Sequence, residues 1–219
     1  MISAYIKSHS GRSFVGVLLR RAIEKYGNFL AQGAIEEFRL EALSIWKMEC
    51  LALSKASGIP VVLSRIANII AQLATRSPWP ALLTEIVNFS LQNGSQAAII
   101  VVAAFRLIEV LSDYCPDDIS ANAELLRQFF AQCFVISESM ADSKEAVVFR
   151  TACAKATAAC IVSFEDEAIR ESFKPALNPI ISVLNSIFSN GKDCPEADAT
   201  SIMEYLCTIG DVVMNFGRL

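Results

Sequence analysis

The 219-residue sequence is poor in the residues that enzymes and metalloproteins most often use for chemistry. It contains a single histidine, His9, and its seven cysteines form no C-x-x-C pair. Metal sites need several Cys, His or carboxylate ligands at workable spacing, and no such set is visible. A glycine-rich phosphate loop, a G-x-S-x-G elbow and an H-E-x-x-H helix are also missing. We therefore expect no cofactor, no metal site and no enzymatic activity.

The chain also lacks an excess of positive charge. It has 19 Lys and Arg residues against 23 Asp and Glu residues, for a formal net charge of -4. Nucleic-acid surfaces depend on clustered Lys and Arg side chains that neutralise phosphates. The balance argues against direct binding of nucleic acid and permits a basic protein partner.

No uninterrupted apolar run is long enough to cross a membrane, although 53% of the residues are hydrophobic. A spanning helix needs about 20 mostly apolar residues. The run over 97–105 is followed by Arg106 and Glu109, and the run over 146–164 contains Arg150 and Lys155. We expect no membrane insertion and explain the apolar excess by helices that pack against neighbours on two sides, as in the interior of a solenoid.

The cysteines are odd in number and lie mostly in apolar helical runs. This pattern indicates reduced core thiols of an intracellular protein. Cys153 and Cys160 are seven residues apart and therefore share one helical face, where packed thiols are a better interpretation than metal ligands.

Apolar residues recur at helical spacing along most of the chain, and no segment alternates as a strand. Gly and Pro residues punctuate the pattern, and the motif from Asp142 to Glu145 has the spacing of a capping box. A break is expected at 116–118 and a kink or split near Pro175 and Pro179. The predicted helices cover residues 13–26, 34–53, 60–75, 80–91, 95–112, 119–137, 143–162, 166–189 and 196–215.

Alternate helices begin near residues 14, 60, 97, 145 and 196, and most of these intervals bracket the roughly 40 to 47 residues of HEAT and armadillo units. We predict an all-α, right-handed α-α superhelix, a HEAT-repeat solenoid of about five helical hairpins. The approximate repeats are 13–53, 58–91, 95–137, 143–189 and a partial unit at 196–219. Because the chain starts and stops inside helical patterns, we expect a fragment that is incomplete at both ends.

Several ordered motifs resemble the N-terminal HEAT repeats of importin-β (karyopherin-β) nuclear transport receptors. The run Arg150 to Ile161, RTACAKATAACI, is similar to an outer helix of the importin-five branch, also called karyopherin beta three. The stretch WPALL at 79–83 resembles the opening of an early inner helix, and VLLRR at 17–21 resembles the end of the repeat before it. Pro179 also has a counterpart, so the resemblance spans essentially the whole chain.

This resemblance implies outer (A) helices on a convex face and inner (B) helices on a concave face. In the family, early B helices meet the GTP form of the Ran GTPase, grooves between A helices meet Phe-Gly nucleoporins, and acidic or aromatic concave residues meet cargo with basic signals. It also implies shuttling between cytoplasm and nucleus. The B helices would be residues 34–53, 80–91, 119–137 and 166–189.

Candidate partner-binding residues are the polar positions of these B helices that the apolar pattern leaves outside the core. They are Glu37, Glu41, Lys47, Glu85, Asn88, Gln128 and Gln132. Plain solvation is the alternative interpretation for each. Trp46 and Trp79 are predicted to anchor the packing of the helices.

Two other classes of function are compatible with an all-α chain. A HEAT scaffold without a transport role, such as a phosphatase regulatory subunit or a coat-adaptor core, would be expected to carry recurrent Asp and Arg residues at fixed places, and these are not seen. An α-helical enzyme has no residues to support it.

Overall fold

The computed structural model describes residues 21–27, 32–53, 61–94, 98–140 and 144–176, together with Cys207, Gly210 and Met214. Every regular element in these ranges is helical. The predicted all-α repeat fold is therefore confirmed. In the part of the chain described, no helix combines the length and apolar character needed to cross a membrane.

Eight α-helices and one 3-10 turn have both ends within the described ranges. They are α1 Gln32–Ala52, α2 Val61–Arg76, α3 Leu82–Gly94, α4 Ala98–Tyr114, α5 Pro116–Ala121, α6 Ala123–Ser139, α7 Lys144–Ser163, α8 Glu167–Ser172 and the turn Lys174–Ala176. Residues 21–26 are also helical. The boundaries of α1 to α4 lie close to the predicted ones, since the apolar periodicity and the Gly and Pro residues between the helices mark them directly.

The predicted break at residues 116–118 is wrong. Pro116 opens helix α5, and only Cys115 interrupts the helical course before it. A proline fits the first helical position, where no amide donor is needed. The carboxylates of Asp117 and Asp118 lie in the first turn, where they interact favourably with the positive end of the helix dipole. A second interruption lies at Asn122, between α5 and α6, where the Asn122 Nδ2 donates to the carbonyl of Asp118 at 2.8 Å.

The split expected near Pro175 is present. Helix α8 ends at Ser172, and Pro175 lies in the 3-10 turn that follows Phe173. At the start of α8, the Asp166 carboxylate accepts a hydrogen bond of 2.8 Å from the amide of Ala168, as an N-cap does. Asp142, Pro179 and nearly all of the predicted last helix lie outside the described residues.

The contacts between residues divide the chain into two compact units, Met1–Cys115 and Pro116–Leu219. In the first unit, α2 packs against both α1 and α4, and α3 packs against α4. Large side chains that are almost fully buried fill this core, namely Trp46, Ile70, Leu73, Ile86, Ile100 and Phe105. Full burial of one such aliphatic or Phe side chain contributes about 1.5–3 kcal/mol.

The second unit is organised around α7, against which α5 and α6 pack. Its core is aromatic, with Phe129, Phe130, Phe149, Phe164 and Phe173 buried. The rings of Phe164 and Phe173 lie 4.9 Å apart between centroids, which fixes the end of α7 beside the end of α8. The five predicted repeat boundaries remain predictions.

Five of the cysteines are buried free thiols, as predicted: Cys50, Cys115, Cys133, Cys153 and Cys160. The prediction is wrong for Cys207, which is exposed, and Cys194 lies outside the described residues. Burial raises the pKa of Cys133 from 9.0 to about 12, and it also raises the pKa values of Cys50 and Cys153. A raised pKa disfavours the nucleophilic thiolate, so these thiols serve as packing groups.

Candidate protein-binding surface

Side-chain contacts tie α1 to α3. The Trp46 ring, 1% exposed, meets the ring of Phe89 edge-on at 5.6 Å between centroids. One residue further along α1, Lys47 Nζ lies 2.9 Å from Glu85 Oε2 and 6.0 Å from the centre of the Phe89 ring. The two helices are thus joined by an aromatic contact and by an ion pair.

The solvent-facing side chains of these two helices are called the α1–α3 surface. They are Glu37, Leu40, Glu41, Ser44, Lys47, Met48 and Leu51 of α1, and Thr84, Glu85, Asn88 and Gln92 of α3.

Five of the predicted partner-binding residues belong to this surface. Glu37 and Asn88 are exposed, and Glu41 is half-buried. Lys47 and Glu85, whose side chains are 32% and 40% exposed, form an ion pair with each other. A pair this accessible is worth about 0.2–1 kcal/mol. Lys47 and Glu85 therefore hold the two helices together weakly, and they would reach a partner only as a pair.

The other two predicted residues lie on α6, in the second unit. Gln128 and Gln132 are both exposed. Gln128 Nε2 donates to Glu124 Oε1 at 2.7 Å, and Arg127 makes two further hydrogen bonds to the same carboxylate. The Arg127 hydrogen bond and then that of Gln128 lower the pKa of Glu124. Gln128 thus belongs to a small charged network at the start of α6.

Arg39 has a role that was not predicted from the sequence. It lies on the core side of α1 and is 6% exposed. Its guanidinium donates to the carbonyl of Leu73 at 3.3 Å, to that of Pro78 at 3.2 Å and to that of Ser77. It also lies 5.3 Å from the centre of the Trp79 ring. Arg39 thereby satisfies carbonyls at the end of α2 and fixes the turn that leads into α3.

Trp79 differs from its prediction. It is only partly buried and packs beneath the Arg39 guanidinium, whereas Trp46 is a core anchor as expected. Trp79 lies between Pro78 and Pro80 in the non-helical segment that joins α2 to α3, which accounts for its partial exposure.

Three apolar residues of the α1–α3 surface were also missed. Leu40, Met48 and Leu51 are 68%, 50% and 48% exposed. They lie opposite the buried stripe that contains Ile35, Trp46 and Cys50. The sequence signal for them is a second set of apolar residues in α1, at spacings of eight and three residues, outside the single core stripe.

The α1–α3 surface offers aliphatic groups, carboxylates and amides, and these are groups that bind proteins. Among the described residues, no group of three His, Cys, Asp or Glu side chains could hold a metal ion.

A protein-family model described as "IPO5-like, TPR repeats" matches residues 59–214. The chain belongs to this IPO5-like family. The family is a transport-receptor scaffold built from helical repeats and is not an enzyme class, which confirms the importin resemblance at the level of the family. The match covers α2 to α8, and α1 precedes it. No curated protein and no solved structure matches the chain.

Proposed function

We propose that this IPO5-like chain is part of a nuclear import receptor. In this proposal it binds the GTP form of Ran, protein cargo with basic signals and Phe-Gly nucleoporins, and it moves between cytoplasm and nucleus. The observation that carries the proposal is the family match over residues 59–214. The accessible side chains on several helices support it, because a repeat receptor binds through many modest contacts.

The polar contacts of this receptor would come from the residues predicted from the sequence. Glu37, Glu41 and Asn88 are the accessible residues of the α1–α3 surface that we assign to a basic partner. Lys47 and Glu85 would take part as an ion pair, and Gln128 and Gln132 would contribute from α6. A standard interface buries about 1,600 Å², so none of these residues needs to dominate.

Cargo release would follow from negative coupling between two ligands. If RanGTP and cargo favour overlapping sites or different arrangements of the repeats, each lowers the affinity of the other by the same factor. Such coupling needs no catalytic residue in the receptor.

The test is a comparison of nucleotide states. Ran loaded with GTP or with GDP is passed over the immobilised protein, and bound Ran is measured at equilibrium. We expect strong retention of RanGTP and little of RanGDP, and elution of a bound basic cargo by RanGTP alone. Equal retention of the two forms would refute the assignment.

A non-transport scaffold or adaptor, such as a phosphatase regulatory subunit, is the rival function. It predicts retention that is independent of the Ran nucleotide and no release of cargo. The match to importin-five-like repeats favours the receptor over this rival.

A further inference from the structure

Ser77 is the only serine or threonine of the chain that is followed by proline. The seven prolines follow Ile59, Ser77, Trp79, Cys115, Lys174, Asn178 and Cys194. A hydroxyl residue directly before proline is the minimal motif of proline-directed serine/threonine kinases, which accept a residue without an amide hydrogen at the next position. Such a dipeptide is common in proteins, so its accessibility and the charges around it decide whether it can serve as a substrate.

The segment around Ser77 is accessible and is not helical. Helix α2 ends at Arg76, Ser77 forms a bend, and residues 78 and 79 have no regular structure. Proline disfavours the helical conformation of the residue before it, which favours the extended backbone that a kinase cleft accepts. Pro78 and Pro80 are exposed, Ser77 and Trp79 are half-buried, and no residue from 75 to 81 is buried. Seven consecutive residues therefore reach solvent on both sides of the Ser77 hydroxyl.

Other hydroxyl residues lack one of these features. Ser90, Ser112 and Thr157 are buried in helices, and each hydroxyl donates to a carbonyl one turn earlier. Ser139 is exposed at the end of α6 and is followed by Met140. Within the described residues, the Ser77 position alone combines a solvent-accessible, non-helical backbone with a following proline.

Two arginines lie beside Ser77. The Arg39 guanidinium donates to the carbonyl of Ser77 and, at 3.2 Å, to that of Pro78, and it lies 5.3 Å from the centre of the Trp79 ring. Arg76 precedes Ser77 directly and donates to the carbonyl of Glu24 at 3.2 Å. Guanidinium groups form charge-assisted, often bidentate hydrogen bonds with phosphate that are stronger than bonds to neutral acceptors. A phosphate on Ser77 would therefore meet a cation that already contacts the backbone of the same residue.

We propose that Ser77 is a phosphorylation site for a proline-directed serine/threonine kinase and that the Arg39 guanidinium binds the resulting phosphate. In the transfer, the Ser77 Oγ forms a bond to the γ-phosphorus of MgATP, and the bond from that phosphorus to the oxygen shared with the β-phosphate breaks. ADP leaves, and the hydroxyl proton passes to the catalytic carboxylate of the kinase. The inference goes beyond the proposed import function and does not rest on it.

The phosphate would change how α3 is attached to α1. A phosphoserine carries a charge of about -1.5 to -2 at neutral pH, and the negative end of the α2 dipole opposes it. Arg39 is therefore the group that has to stabilise the phosphate, and its hydrogen bonds would move from the carbonyls of Leu73 and Pro78 to the phosphate oxygens. Because those carbonyl bonds fix the turn into α3, phosphorylation would act on the first unit through this turn.

The first experiment tests Ser77 as the acceptor in the folded 219-residue protein. The protein and a synthetic peptide of residues 70–84 are each incubated with MgATP and a purified kinase of the mitogen-activated class, and mass spectrometry measures the initial rate at Ser77. We expect the rate in the protein to lie within about tenfold of the peptide rate, since phosphorylation through global unfolding would be slower by about 10³ or more. A larger deficit, or no reaction of either substrate, would overturn the proposal.

Matched variants test the site and the motif. Ser77→Ala and Pro78→Ala should each abolish incorporation of phosphate into the protein. The control Ser139→Ala removes an exposed hydroxyl that no proline follows, and it should leave incorporation unchanged. Circular dichroism spectra verify that the variants are folded. Undiminished incorporation in Ser77→Ala would mean that the phosphate lies elsewhere and would refute the assignment.

The second experiment tests the role of Arg39 by a phosphorus-31 NMR titration. A nearby cation favours the dianion, so the pKa of phosphorylated Ser77 should be lower in the protein than in the phosphopeptide and lower than the usual value of about 6. Arg39→Lys keeps the charge without the planar fork and should reduce this difference, whereas Arg76→Gln should leave most of it. Equal pKa values in protein and peptide, or a larger effect of Arg76→Gln, would contradict the assigned pair. Neither experiment contains Ran, so its failure leaves the nucleotide-dependent retention of Ran unaffected.

Discussion

At the scale of single residues, arginine side chains close the ends of helices. Arg76 donates to the carbonyl of Glu24, Arg150 to that of Ser137 and Arg170 to that of Phe164, in addition to the three bonds of Arg39. The last four carbonyls of a helix have no partner within it, and the helix dipole favours a cation there. A guanidinium with several donors can satisfy more than one of these acceptors.

Among these arginines, Arg39 should contribute most to stability, because it donates to three carbonyls. We expect Arg39→Ala to lower the free energy of unfolding by about 2–3 kcal/mol, because a buried carbonyl of α2 and two part-buried carbonyls of the following turn lose a charged donor. Arg39→Lys should recover only part of this, since an ammonium cannot reproduce the planar fork. Urea denaturation followed by circular dichroism measures both. The control is Arg127→Ala at an exposed ion pair, and an equal loss in that control would contradict the assigned role.

The buried thiol of Cys133 should make stability depend on alkaline pH. Its pKa is about 12 in the folded protein because burial disfavours the thiolate, against 9.0 ordinarily. The folded state therefore holds a proton that the unfolded chain releases above pH 9.0, and stability falls as pH rises from there towards 12. We expect the melting temperature of the wild type to drop more between pH 8 and pH 10.5 than that of Cys133→Ala, compared with each protein's own value at pH 8. Parallel curves would show that this thiol is not responsible.

At the scale of elements, the two tryptophans should differ in their contribution to helix packing. The Trp46 side chain is 1% exposed and contacts the ring of Phe89 on α3. Trp46→Ala should therefore lower the free energy of unfolding by about 3–5 kcal/mol. Trp79 is partly exposed in its turn, and Trp79→Ala should cost less than half as much. Chemical denaturation of the two variants measures which substitution lowers the free energy of unfolding more. Equal losses would mean that the turn before α3 supports the core as strongly as Trp46 does.

The sequence predicted those elements and contacts that depend on local pattern. Apolar periodicity gave α1 to α4, and the polar positions Glu37 and Asn88 are exposed as that pattern required. The ion pair between Lys47 and Glu85 joins residues that are 38 positions apart in the sequence. A local sequence pattern cannot predict that these two side chains meet. Arg39 was missed for the same reason, because its acceptors become neighbours only when α2 folds back along α1.

At the scale of the whole molecule, helical repeats imply that stability is largely a sum of neighbour contacts. Removal of residues 1–27 takes away Ile23 and the carbonyl of Glu24 that accepts from Arg76. We expect a modest loss of stability near α2 and retention of the later helices. The far-ultraviolet circular dichroism per residue and the thermal transition test this expectation. A global loss of helix would show a single cooperative domain instead.

Helix α7 is buried along most of its described length. Its positions that reach solvent are Glu145, Val148, Arg150, Lys155, Ala159, Val162 and Ser163. Its alanines allow this burial, because small side chains let neighbouring helices approach closely. In hydrogen–deuterium exchange, its central amides would have to wait for neighbouring helices to separate before they could exchange. Exchange of these amides should therefore be slow, and its rate would report how often the second unit opens.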